Sequence, residues 1–124
     1  MSDRILLSTS ELKLRAELND SATAATFRSL LPMEVRLSRW GDEYYGDCGI
    51  SVDIAQEAKE VMEVGELAVW PIGNALCIFF GPTPVSTGDE PRAASRVNPI
   101  GKLTDNPEPL KKLGSSISVK ISAL

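Results

Sequence analysis

The sequence predicts a mainly β fold, a small closed barrel plugged by a helix. Stretches in which apolar and polar residues alternate, as in half-buried strands, recur along the chain. One stretch has helical spacing instead, and one long segment rich in Pro, Gly, Ser and Thr has the composition of a loop. Two strands, a helix and then many strands is the element order of such a barrel.

Chain length and composition predict a single domain over residues 1–124. A chain of 124 residues buries about two thirds of its unfolded surface, which is enough for one core. Apolar residues make up 43% of the chain and charged residues 24%, so the composition is that of a domain that folds alone.

The first two strands are predicted at residues 4–8 and 12–18. In the second, leucines and an alanine alternate with Lys13, Arg15 and Glu17, which indicates one buried and one wetted face. The short polar segment between them suits a hairpin connection.

One amphipathic helix is predicted at residues 21–31. Its apolar residues Phe27, Leu30 and Leu31 have the spacing i, i+3 and i+4, and Pro32 ends the run. We expect this stripe to close one end of the barrel.

The rest of the chain divides into strands and two less regular segments. Residues 54–64 are ambiguous and are interpreted as irregular to extended. Residues 82–98 are predicted to be a long loop that is mobile or faces a ligand. Further strands are predicted at 33–40, 43–47, 66–70, 75–80, 99–103 and 116–124.

Charge and hydropathy exclude several classes of partner. The 13 Lys and Arg residues against 17 Asp and Glu give a net charge of -4, which repels a phosphate backbone, so nucleic acid is a poor candidate. No signal peptide and no membrane-spanning apolar segment is recognised, so neither a membrane association nor export is expected. A cytoplasmic protein is the expectation.

The chain contains no histidine, which limits its chemistry. Triads that use histidine and the common zinc sites are therefore excluded. Cys48 and Cys77 have no metal-ligand spacing and are expected to be free thiols. We predict no metal, no cofactor and no catalytic residue.

Four strings occur in order over almost the whole chain: "AELNDSATAATFRSLLP", "RWGDEYY", "VGELAVWPIGNALCIFFGPTP" and "EPRAASRVNPIGKL". Together they resemble the small prokaryotic cyclophilin-like family. The resemblance implies a closed antiparallel barrel of about eight strands with one capping helix and a shallow outer groove. In the cyclophilins that catalyse prolyl isomerisation, this groove binds Xaa-Pro segments.

The isomerase machinery has no clear counterpart in the sequence. The stretch "RWGDEYYGDCGISVD" lacks the Phe-Met and Gln-Gly-Gly groups of the isomerases and has no arginine inside its strand. We therefore expect a protein that binds a peptide or small ligand in the groove with little or no catalysis. A peptidyl-prolyl isomerase with a rearranged arginine is the alternative, and a homo-oligomer that uses the aromatic surface for self-association is a third possibility.

The candidate ligand-binding residues are Tyr45, Trp70, Phe80 and Arg92. One of the adjacent residues Phe79 and Phe80 has to face away from the barrel interior, and an outward aromatic beside Trp70 would form an apolar recognition surface. Arg92 would reach over the groove from the long loop, although a plain surface ion pair is the simpler interpretation. The sequence stretch at Gly41 and Asp42 is read as a turn, and Glu43 as a solvated strand residue.

Overall fold

The computed structural model describes residues 3–124, which form nine β-strands, one α-helix and two short 3-10 helices. The first two residues of the predicted domain lie outside the described residues. The helix α1 spans Ala22–Ser29, and the 3-10 helices span Pro71–Gly73 and Glu108–Lys112. The strands are β1 (Arg4–Ser8), β2 (Lys13–Leu18), β3 (Met33–Arg39), β4 (Glu43–Asp47), β5 (Lys59–Val61), β6 (Glu66–Trp70), β7 (Ala75–Phe79), β8 (Arg92–Leu103) and β9 (Ser116–Ala123).

Eight of these strands close into an antiparallel barrel. The hydrogen-bonded order is β2-β1-β9-β3-β4-β7-β6-β8, and a further pairing of β2 with β8 joins the two edges. The short strand β5 pairs only with β8, outside the ring. The predicted closed barrel of about eight strands with one helix is confirmed.

Strand alternation fills the barrel interior as predicted. Along β2 the side chains of Leu14, Ala16 and Leu18 are buried while their neighbours are exposed. The central hairpin adds the inward residues of β6 and β7, which belong to the main core cluster, and burial of their apolar surface stabilises the fold.

Helix α1 packs into this core. Ser21 is the N-cap, and its Oγ accepts a 3.1 Å hydrogen bond from the backbone N–H of Ala24. Phe27 is 0% exposed and belongs to the main core cluster. Leu30 differs from the prediction: the helix ends at Ser29, so Leu30 lies past the last turn and is exposed.

Phe80 lies inside the barrel, which corrects its predicted place in the groove. It is 1% exposed and stacks on Tyr44 with ring centroids 5.6 Å apart. The guanidinium of Arg39 covers it, with Cζ 5.0 Å from the ring centroid. The reason is strand parity, since Phe80 follows Ile78 on the inward face and leaves Phe79 facing outward.

A second, smaller core cluster lies on the outer face of the barrel around Phe79. It unites outward residues of β6 and β7 with residues from the β5 and β8 region. Its members are Met62, Ala68, Cys77, Phe79, Ala93 and Val97, with Trp70 packed against them.

The predicted loop at 82–98 is shorter than expected. Strand β8 begins at Arg92, so only about half of that segment is irregular. Residues 54–64 agree with the prediction, since they are mostly irregular and become extended at β5. The buried Asn98 ties β8 to its surroundings by donating to Thr23 Oγ1 and to the Asp53 carbonyl.

No helix in the described part of the chain is long and apolar enough to cross a membrane.

Candidate functional site

The outer face of the barrel carries a cavity of about 250 Å³, named here the outer cavity. It lies where β4, β6 and β7 meet the first half of β8. Aromatic side chains and small apolar residues dominate its lining. The lining residues are Trp40, Glu43, Tyr45, Trp70 and Cys77, with Ala93, Ala94 and Val97 from β8.

Strand pairing explains why these side chains converge. Glu43 and Tyr45 are two residues apart on β4, so both point to the same face of the sheet. Across the β4–β7 ladder, Glu43 pairs with Phe79 and Tyr45 pairs with Cys77. All four side chains therefore lie on the outer face, opposite the barrel core.

Glu43 is the unusual member of the outer cavity, because it is a buried carboxyl in apolar surroundings. Glu43 is 4% exposed, and its Oε1 has no hydrogen-bond partner. Burial raises the pKa of Glu43 to about 7, and a hydrogen bond with Cys77 opposes that rise only in part. A ligand that donates a hydrogen bond to this oxygen would stabilise the buried carboxyl.

Trp70 is fixed at the rim by two features of the chain. Its indole Nε1 donates a 2.7 Å hydrogen bond to Ser95 Oγ on β8. Its ring lies against the backbone of Gly73, where an added Cβ would stand 2.7 Å from Trp70 Cε3. Any larger residue at position 73 would therefore push the ring out of place.

Trp40 reaches the outer cavity from the β3–β4 turn. Trp40 and Glu43 exchange backbone hydrogen bonds of 2.8 and 3.2 Å around Gly41 and Asp42, which confirms the predicted turn. The loop that follows β7 supports the turn, since the Asp42 N–H donates to the Pro82 carbonyl. The turn thus sets Trp40 beside the buried carboxyl.

Two of the four predicted ligand-binding residues line the outer cavity. Tyr45, which is 36% exposed, and Trp70 lie there together. Phe80 lies in the barrel core instead. Arg92 does not line the cavity: its Nε donates to Glu90 Oε2 at 3.1 Å, as in the simpler ion-pair interpretation.

Glu90 holds that ion pair in an ordered loop. Its carboxylate also accepts hydrogen bonds from the N–H groups of Thr87 and Gly88. These N–H donors, together with Arg92, lower the pKa of Glu90 to about 2. In this structure Arg92 therefore pairs with the loop residue Glu90 and does not contact the cavity.

Sequence reasoning missed Trp40, Glu43 and Cys77 as parts of the site. The interpretation of Glu43 as a solvated residue is wrong. A signal for Glu43 was present, because strand parity places it on the same face as Tyr45, which was already a candidate. Nothing in the local sequence indicated that β8 would cover that face and remove the carboxyl from water.

The described residues offer no metal site. Within 3–124 no group of three or more Cys, Asp or Glu side chains is placed to hold a metal ion. Both cysteines are free. Burial raises the pKa of the Cys48 thiol and, more strongly, that of Cys77, which also lies beside Glu43.

Comparison with known proteins places the chain in a family. The family model described as cyclophilin-like matches residues 3–122. The solution structure of the hypothetical protein AF2241 from Archaeoglobus fulgidus superposes with a TM-score of 0.82 at 31% sequence identity, covering 99% of this chain and 95% of that one. No match is found among curated proteins. The chain therefore belongs to the cyclophilin-like family.

Proposed function

We propose that the protein is a binding module that takes a small molecule, or one side chain of a peptide, in the outer cavity with little or no catalysis. A volume of about 250 Å³ is slightly below the usual range of ligand pockets, so the bound group is compact. Aromatic side chains supply contact area, and a single polar group would orient the ligand.

One observation carries the proposal: the unpartnered Oε1 of Glu43 within an aromatic cavity. An unsatisfied buried carboxyl oxygen costs folding free energy, and such groups are rare in folded proteins. Strongly perturbed carboxyls in clefts are concentrated at functional sites. A ligand that donates to Oε1 would recover the lost interaction.

A thermal-shift screen of small metabolites and short peptides tests the proposal. A ligand at about a hundred times its Kd stabilises the fold by about 2.7 kcal/mol, which a melting curve resolves. Each hit is measured again on Tyr45→Ala, which alters the cavity rim, and on Ile72→Ala. Ile72 is 68% exposed and lies outside the cavity, so its variant is the matched control.

We expect hits that lose affinity in Tyr45→Ala and keep it in Ile72→Ala. Hits that bind both variants as tightly as the unaltered protein would place the binding site elsewhere.

Light scattering in parallel tests self-association through the same surface. A stable dimer that dissociates in Tyr45→Ala would favour the homo-oligomer over a free ligand site.

A further inference from the structure

We propose that the outer cavity receives an organic ammonium group, with Trp40, Tyr45 and Trp70 as its aromatic lining and the Glu43 carboxylate as its counter-ion. This inference rests on the proposed function, since it names the class of ligand for the same cavity.

The charges around the cavity favour a cation. Among the described residues, Glu43 is the only lining residue whose side chain becomes charged near neutral pH, where its carboxyl loses a proton. The other titratable groups that face it are the Cys77 thiol and the Tyr45 phenol, and β6 and β8 contribute only Trp70, alanines and a valine. An anionic ligand would meet a carboxylate with no lysine or arginine beside it. A cation would meet an uncompensated negative charge.

Cations near this face are already engaged with other acids. Arg39 Nη2 lies 2.9 Å from Asp42 Oδ1, and Lys59 Nζ lies 3.0 Å from Glu66 Oε2. Arg92 is paired with Glu90 in the same way. Arg96 on β8 is exposed and does not line the cavity, and no other lysine or arginine of the described residues lines it. A cation that meets Glu43 inside the cavity would therefore be a ligand.

The aromatic lining supplies the second contact for an ammonium group. Both tryptophans of the chain and one of its two tyrosines line a single small cavity. Aromatic faces attract cations, and tryptophan does so most strongly. Aromatic residues grouped around a carboxylate suit an alkylated ammonium, whose methyl groups pack on the rings while its charge faces the acid.

Binding of a cation predicts a specific pH dependence. The pKa of Glu43 in the free protein is about 7, and an ammonium ligand favours the ionised form. Affinity should therefore fall about tenfold for each pH unit below 7 and become constant above it, with a proton released on binding at low pH. A neutral ligand held only by apolar contact should not show this fall.

The test is isothermal titration with three compounds of similar shape at millimolar concentration. The first is choline. The second is its neutral analogue with a quaternary carbon in place of nitrogen, and the third is the anion pivalate. We expect choline to bind at least tenfold more tightly than the neutral analogue, and pivalate not to bind. In Glu43→Gln, choline should lose this advantage and bind no better than the neutral analogue.

Several outcomes would overturn the inference. Equal binding of choline and its neutral analogue would show that charge does not contribute to affinity, and the inference would fail. The cavity would still bind a ligand, so the proposed function would stand. Tighter binding of pivalate than of choline would mean that the cavity selects an anion, which contradicts the inference. If none of the three compounds binds, the ammonium ligand is also rejected. The proposed function is then decided separately by the thermal-shift screen of metabolites and peptides. The pH profile of the unaltered protein needs no variant, so it decides the matter even where Glu43→Gln fails to fold.

Discussion

The indole Nε1 of Trp70 donates a 2.7 Å hydrogen bond to Oγ of Ser95. Trp70 is the last residue of β6, whereas Ser95 lies in the half of β8 that also borders the outer cavity. This bond satisfies the indole N–H away from bulk water and holds the ring at the cavity. The geometry of the site thus depends on a side chain that no ligand needs to touch.

Replacement of Ser95 by alanine tests this dependence. Ser95→Ala leaves the half-buried indole N–H without its partner, so unfolding free energy should fall by about 1 kcal/mol. Ligand affinity should fall as well, because the Trp70 ring is no longer held. Ser118→Ala, at an exposed position on β9, is the matched control for denaturant melts. An unchanged affinity in Ser95→Ala would show that the hydrogen bond does not position the ring.

The buried Glu43 predicts a dependence of stability on pH. Its folded pKa of about 7 exceeds the value of 4.5 for an unperturbed glutamate, so the folded state keeps a proton that the unfolded state has lost. Stability should therefore fall as the pH rises from 4.5 to 7, by about 3 kcal/mol in all, and change little from this group above 7.

Glu43→Gln removes the titrating group and keeps its shape. Urea melts from pH 5 to about 8 should give a shallower decline for this variant than for the unaltered protein. The difference in unfolding free energy should thus grow in favour of Glu43→Gln as the pH rises. Parallel curves for the two proteins would contradict a raised pKa at Glu43.

The packing of helix α1 predicts a large loss on truncation of Phe27. Phe27→Ala removes a fully buried ring from the barrel core and should cost about 3 to 5 kcal/mol of unfolding free energy. The neighbouring Ser29→Ala, on the exposed side of the same helix, should change stability far less. A loss below about 1 kcal/mol for Phe27→Ala would show that the helix is only loosely docked.

Weak prolyl isomerase activity is the expectation for this family member. The reaction must overcome a barrier of about 20 kcal/mol, and a donor held against the prolyl nitrogen lowers it. No arginine lines the outer cavity among residues 3–124. Arg39 instead donates to Asp42 and to the carbonyls of Gly41, Lys111 and Leu113.

A protease-coupled assay on Ala-Pro and Phe-Pro peptides checks this expectation. Acceleration as strong as that of an isomerase cyclophilin, abolished by replacing Arg36, Arg39, Arg92 or Arg96 with alanine, would contradict it. That result would establish the alternative function with a rearranged arginine.

The sequence predicts the barrel better than the site, for physical reasons that particular residues make clear. Alternation in β2 and the spacing around Phe27 are local signals, so the strand and the helix could be read directly. Phe79 and Phe80 are equivalent in the local pattern. Which of them faces inward depends on the closed barrel, and the prediction chose the wrong one.

The environment of Glu43 depends on a strand segment that lies 50 or more residues away in the sequence. Its charge suggested exposure, but the first half of β8, with Ala93 and Val97, covers that face. Arg92 was expected on a mobile loop because its segment is rich in Pro, Gly and Ser, yet pairing with β5 makes it a strand residue. Both errors come from long-range pairing that no local window contains.

The most direct test of a ligand site in the outer cavity uses the two indole N–H groups as reporters. Trp40 and Trp70 are the only tryptophans of the chain, and both line the cavity. A ¹H–¹⁵N correlation spectrum of labelled protein therefore contains two indole peaks that both report on this place. During titration with the strongest hit, both peaks should shift along one saturating curve that matches the Kd from melting. Saturable binding that leaves both indole peaks unmoved would contradict the account.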